Sequence, residues 1–243
     1  MRILLINPNT TATMTRKALD AARSVAAAGS EVLGVNPEFG PPSIEGYFDE
    51  AFAVPGLLAE IVKAPDMDAY IIACFDDTGL DAARCRVDGP VIGIGEAAFH
   101  MASLVAGKFS VVTTLSRSVP AIEHNLEKYG LAKRCAGVRA SEVPVLELEK
   151  PDSDARARIS AEIARAKTDD RAEAIVLGCA GMTDLARSLS IEHGLPVIDG
   201  VAAAVKLCEG LVSLGHKTSR LAGYASPRSK VFTGAFGPYS PQE

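Results

Sequence analysis

The chain of 243 residues has no tryptophan, and eight phenylalanines and five tyrosines are its only aromatic residues. It has no run of lysine or arginine, and 25 basic residues against 30 acidic ones leave a formal charge of -5. A nucleic-acid reader needs a basic stripe and stacking rings, so that class is set aside. Long apolar runs are missing too. The N-terminal Ile3-Leu4-Leu5-Ile6 ends at Asn7-Pro8, too short for a signal-peptide core or a membrane span. The sequence therefore reads as cytoplasmic, with no membrane partner. Five cysteines is an odd number, and no CxxC spacing occurs, which removes a disulfide framework and a zinc knuckle. Each thiol needs its own explanation.

What is present is an alternation of short aliphatic runs with longer helical stretches, the pattern of an α/β protein built on parallel sheets. Strands are expected at 2–6, 31–36, 69–73, 90–94, 108–113, 138–145 (broken by Pro144), 172–178 and 196–198. Helices are expected at 11–28, 47–63, 77–86, 96–105, 119–129, 154–167, 183–193 and 201–214, with Pro55 a kink point in the second. Beyond Arg220 the chain turns to Gly, Ser and Pro and reads as a tail or edge arm.

The pattern repeats. Asp-Ala-Tyr-Ile-Ile-Ala-Cys, ending at Cys74, aligns with Glu-Ala-Ile-Val-Leu-Gly-Cys, ending at Cys179. Pro-Val-Ile follows 16 residues after Cys74 and 17 after Cys179. Asn7 closes a strand 67 residues before the first cysteine, and Thr113 closes one 66 before the second. Two copies of one α/β unit would each present a polar residue and a cysteine at the carboxyl edge of a sheet, where ligands bind in such folds.

Both cysteines precede an expected helix, whose first amides would lower a thiol pKa from about 8.5 toward neutrality. Asp76 and Asp77 oppose this at Cys74. Two acid/base groups on opposite faces of a carbon suit inversion of a C–H centre, and such a pair requires no metal. Asn7, Thr113 and Thr114 at the strand ends would donate hydrogen bonds to oxygens that gather charge. The remaining cysteines, Cys85, Cys135 and Cys208, read as packing, and Asp76 and Asp77 as loop and cap residues. Gly93-Ile94-Gly95-Glu96-Ala97-Ala98 imitates a dinucleotide fingerprint, but the next strand ends Val112-Thr113-Thr114 without the acid that would hold a ribose. The four histidines sit on or just past helices in surface or packing roles, and the stretch 149–170 reads as a solvated charged face.

Taken together, Leu5-Ile6-Asn7-Pro8-Asn9-Thr10, Ser43-Ile44-Glu45-Gly46, Ala53-Val54-Pro55-Gly56-Leu57, Ile72-Ala73-Cys74-Phe75-Asp76-Asp77, Pro90-Val91-Ile92-Gly93-Ile94-Gly95, Val112-Thr113-Thr114-Leu115 and Val176-Leu177-Gly178-Cys179-Ala180-Gly181-Met182 resemble the aspartate/glutamate racemase superfamily, and within it the hydantoin racemases. The resemblance implies two pseudo-symmetric Rossmann-like domains, each a mainly parallel four-stranded sheet flanked by helices. These would be 1–97 plus 205–243, and 98–204, with the site in the cleft between them. It implies cofactor-independent racemisation of 5-substituted hydantoins, with Cys74 and Cys179 as proton exchangers. The ring would be held by Asn7, Ile44, Phe75, Thr113, Thr114 and the backbone of Ala180 and Gly181. A homo-oligomer is implied as well. Allantoin racemases resemble the chain almost equally, but their first cysteine is usually followed by Phe-Gly-Asp-Pro. Here the residues are Phe75-Asp76-Asp77-Thr78, which leans toward carbon side chains at C5. A non-catalytic small-molecule binding protein on the same scaffold is the alternative of another class.

Overall fold

The computed structural model describes residues 1–150 and 152–241. Pro151, within the charged stretch, and Gln242 and Glu243, at the end of the first expected domain, lie outside the described residues. The rest contains two parallel four-stranded sheets with the same strand order. In the first, β1 (Arg2–Ile6) lies between β2 (Glu31–Val35) and β3 (Ala69–Ile72), with β4 (Val91–Gly93) beyond β3. In the second, β5 (Phe109–Thr113) lies between β6 (Cys135–Ala140) and β7 (Ala174–Gly178), with β8 (Val197–Ile198) beyond β7. Both sheets are covered on both faces, which is why their strands read as continuous aliphatic runs. Ile3 and Leu5 enter one buried cluster and Leu4 and Ile6 another, as the two-residue period requires.

The helices are α1 (Ala12–Val25), α2 (Tyr47–Lys63), α3 (Leu80–Arg84), α4 (Ile94–Val105), α5 (Val119–Lys128), α6 (Ala155–Asp169), α7 (Ala186–His193) and α8 (Gly200–Ser213). α4 and α8 pack on each other, and each also crosses to the other sheet: α8 lies on β3 and α4 on β7. The largest buried cluster accordingly joins Ile3 and Leu5 of the first sheet to Val111 and Val176 of the second, through Phe99 and Val205.

Three elements differ from the sequence-based expectation. The helix expected from Asp77 begins only at Leu80, because Asp77 (φ 52°) and Gly79 (φ 73°) take left-handed conformations. The helix expected at 183–193 is a 3-10 turn, Ala180–Leu185, followed by α7. β6 starts earlier than expected and stops at Ala140, with Glu142 at positive φ and Pro144 leading into a 3-10 segment, Val145–Glu149. α2 runs through Pro55 as one element. The tail folds back on the first unit, where Thr218 donates to the Asp88 carbonyl and the Tyr224 hydroxyl to Asp81.

Candidate active site

Asn7 and Ala73 are joined to the first sheet by backbone bonds just past β1 and β3, and Thr113 pairs with Gly178 at the end of the second. Cys74 and Cys179 are the next residues along β3 and β7, so they leave the two sheets at equivalent places. The two cysteines line one small cavity of about 30 Å³. Of the ring-holding residues expected from the sequence, Ile44, Phe75, Thr114 and Ala180 line it as well. Phe75 also anchors the Cys74 turn, its ring meeting that of Phe99 edge-on at 5.4 Å.

Asn7, Thr113 and Gly181 are not in the cavity wall. The Asn7 amide donates to Asn9 Oδ1 and Thr15 Oγ1 and accepts from the Asn9 amide, so its hydrogen-bonding capacity is spent shaping the β1–α1 turn. Thr113 Oγ1 donates to the Gly178 carbonyl at 3.0 Å, tying β5 to β7. In the structure both side chains bond within the protein and lie outside the cavity wall. Gly181 acts one step back, its amide bonding to the Cys179 sulfur. The polar wall residues are Thr114 with Asn9, Ser118 and Asp76; Asp76 is expected from the sequence as a loop or cap residue, and Asn9 and Ser118 are not among the expected site residues. Asn9 lies in the quoted Asn7-Pro8-Asn9 block and Asp76 two residues past a cysteine, so their positions were signalled. Ser118 carried no signal.

Each sulfur accepts a hydrogen bond from the amide two residues on, Asp76 for Cys74 and Gly181 for Cys179. Cys74 Sγ also lies 3.3 Å from Thr78 Oγ1. The expectation of thiols near neutrality is nevertheless corrected. Burial pushes Cys74 well above its ordinary value and Cys179 up to about 12, and one amide apiece does not offset it. The surroundings are unequal. Asp76 and Glu50 stand on the Cys74 side and raise it further, whereas Lys17 draws Cys179 down against Asp76 and Glu149. Asp76 itself is pushed up to about 8 by burial and by Glu50 and Asp77.

Asp77 caps a helix, but a distant one. Its carboxylate accepts from the Gly95 amide (2.9 Å) and the Glu96 amide (2.8 Å) at the start of α4, and from the Tyr129 hydroxyl (2.8 Å). A β-carbon on Gly93 would collide with Asp77, and one on Gly95 with the Phe75 carbonyl. The glycines that mimic a dinucleotide fingerprint thus make room for the Cys74 turn, and a protein carboxylate occupies the amides a phosphate would use. Among the described residues, no group of three or more His, Cys, Asp or Glu could hold a metal ion, and no helix is long and apolar enough to cross a membrane.

A family model described as Asp/Glu/Hydantoin racemase matches residues 3–208. A hydantoin racemase of Rhizobium meliloti is 52% identical, covering 96% of this chain and 98% of its own. One of Pseudomonas sp. (strain NS671) is 45% identical over 97% of this chain and 95% of its own. The solved structure of an allantoin racemase from Klebsiella pneumoniae superposes with a TM-score of 0.96 at 47% identity, covering 100% of both chains. The match takes in both sheets and both strand-end cysteines, and with it the chain belongs to the Asp/Glu/Hydantoin racemase family and is an isomerase.

Proposed function

We propose that the protein racemises 5-monosubstituted hydantoins by proton transfer at C5, with Cys74 and Cys179 as the two acid/base groups and no cofactor. The observation that carries this reading is that two cysteines, from equivalent places in two sheets, line one cavity. The C5 hydrogen lies beside a ring carbonyl. A thiolate on one face takes that proton, and the electron pair of the C–H bond spreads onto the carbonyl oxygen as an enolate. The thiol on the other face then delivers its proton to C5 and becomes the thiolate. The reverse reaction exchanges the roles. Asn9, Thr114 and Ser118 offer polar groups at the wall for the oxygen that gains charge, and Ile44 and Val145 offer an apolar side for the substituent.

The names of the 52% and 45% identical relatives favour hydantoins. The Klebsiella structure favours allantoin, a 5-ureido-hydantoin, as the second reading. Asp76, where allantoin racemases usually have glycine, supports the first. Polarimetry of a single enantiomer of 5-isopropyl-hydantoin is the test, with allantoin run on the same preparation. Cys74→Ser and Cys179→Ser should each lose roughly 10²- to 10⁴-fold in racemisation. In deuterium oxide each variant should still exchange the C5 proton of one enantiomer. Parent-rate racemisation by either variant would end the two-thiol reading, and faster turnover of allantoin would select the second substrate.

A further inference from the structure

Helix α1 belongs to the first half of the chain, yet it packs against the 3-10 turn that follows Cys179. Lys17 on that helix reaches across. Its Nζ donates to the Leu148 carbonyl at 3.2 Å and the Gly181 carbonyl at 3.4 Å, and lies 3.2 Å from Glu149 Oε1 and 4.0 Å from Asp184 Oδ2. The side chain keeps only 23% of its exposure, so this ammonium is held in place and poorly screened. Gly181 is the residue whose amide meets the Cys179 sulfur, and a β-carbon there would press on Leu148. The lysine therefore grips both strands of backbone that close over the thiol.

We propose that Lys17 is a positioning residue for Cys179: by fixing the Leu148 and Gly181 carbonyls it holds the Gly181 amide on the sulfur and sets a cation on that side of the cavity. The proposal rests on the reading of Cys179 as a proton exchanger. The charged groups facing this thiol are Lys17 from α1, Asp76 from the turn after β3 and Glu149 from the 3-10 segment before α6, with Asp184 beside the lysine. Lys17 is thus opposed by anions. Cys74 is flanked by Asp76 and Glu50, and no cation among the described residues acts on it in the same way. On this reading Cys179 ionises more readily than Cys74.

The test is the rate of alkylation by iodoacetamide at each cysteine, read by peptide mass spectrometry at pH 8, where the rate follows the thiolate fraction. Lys17→Met should slow alkylation of Cys179 about tenfold, the effect of losing one nearby opposite charge, and leave Cys74 unchanged. Lys17→Arg should restore most of the rate. Glu149→Gln removes an anion instead, and should speed alkylation of Cys179 severalfold even if Lys17→Met fails to fold. A general loosening of the fold would move both cysteines, and both variants, in one direction. Such a result, or equal Cys179 rates in Lys17→Met and the parent, would overturn the proposal. The readout needs no turnover, so a substrate other than a hydantoin would leave it standing, and an active racemase with unchanged alkylation would still refute it.

Discussion

No hydrogen bond reaches the Asp76 side chain among the described residues, although its backbone carbonyl accepts from Asn125 Nδ2 at 2.8 Å. Burial, Glu50 and Asp77 together push it up to about 8, against 3.8 for a free aspartate. Between those values the folded chain holds a proton that the unfolded chain releases, so the contribution to stability is fully present below about pH 4 and is lost as the pH rises toward 8. The slope reaches up to about 1.4 kcal/mol per pH unit. Urea denaturation at pH 5.5 and 7.5 should therefore show a smaller difference in Asp76→Asn than in the parent. An equal difference would mean that Asp76 ionises normally in the folded chain. At this scale the sequence was legible where residues came as a duplicated pair. Cys74 and Cys179 are marked by shared register, and the same register marks Asn7 and Thr113, whose side chains lie outside the cavity wall and bond to neighbouring groups. A polar residue at a strand end can equally well satisfy its neighbours' backbone, and sequence does not show which.

The two cysteine turns are held in a reciprocal way. α5, the helix after β5, holds the Cys74 turn through Asn125 and through Tyr129 at its C-cap, while α1, the helix after β1, holds the Cys179 turn through Lys17. Each unit thus fixes the thiol of the other with the same element. Tyr129→Phe removes one of three donors to the buried Asp77 carboxylate and should cost about 1.5 to 3 kcal/mol in chemical denaturation. Asn125→Ala frees the Asp76 carbonyl and should act in the same direction. Stability within about 0.5 kcal/mol of the parent in Tyr129→Phe would show that the clamp contributes nothing. The strands and long helices were legible because apolar periodicity reports them directly. The turns after the cysteines were not. Asp77 is a non-glycine residue at φ 52°, a conformation set by bonds to Gly95, Glu96 and Tyr129, which are 18 to 52 positions away.

For the molecule as a whole, the exchange of α4 and α8 between sheets gives both halves one shared cluster, beside a smaller cluster on the other face of each sheet. The cluster containing Ile3, Phe99, Val111, Val176 and Val205 is continuous across both sheets. Thermal unfolding should accordingly be a single transition with matching calorimetric and van't Hoff enthalpies. Two resolved transitions would mean that the halves melt independently. The duplication was legible from spacing, but the helix exchange was not, since nothing in a helix's own sequence names the sheet that will cover it. The chamber lined by both cysteines is small, about 30 Å³, room for about two waters. A five-membered ring bearing two carbonyls is far bulkier than that. Seating such a guest calls for the walls to draw apart, a movement that would come before any chemistry at the two sulfurs.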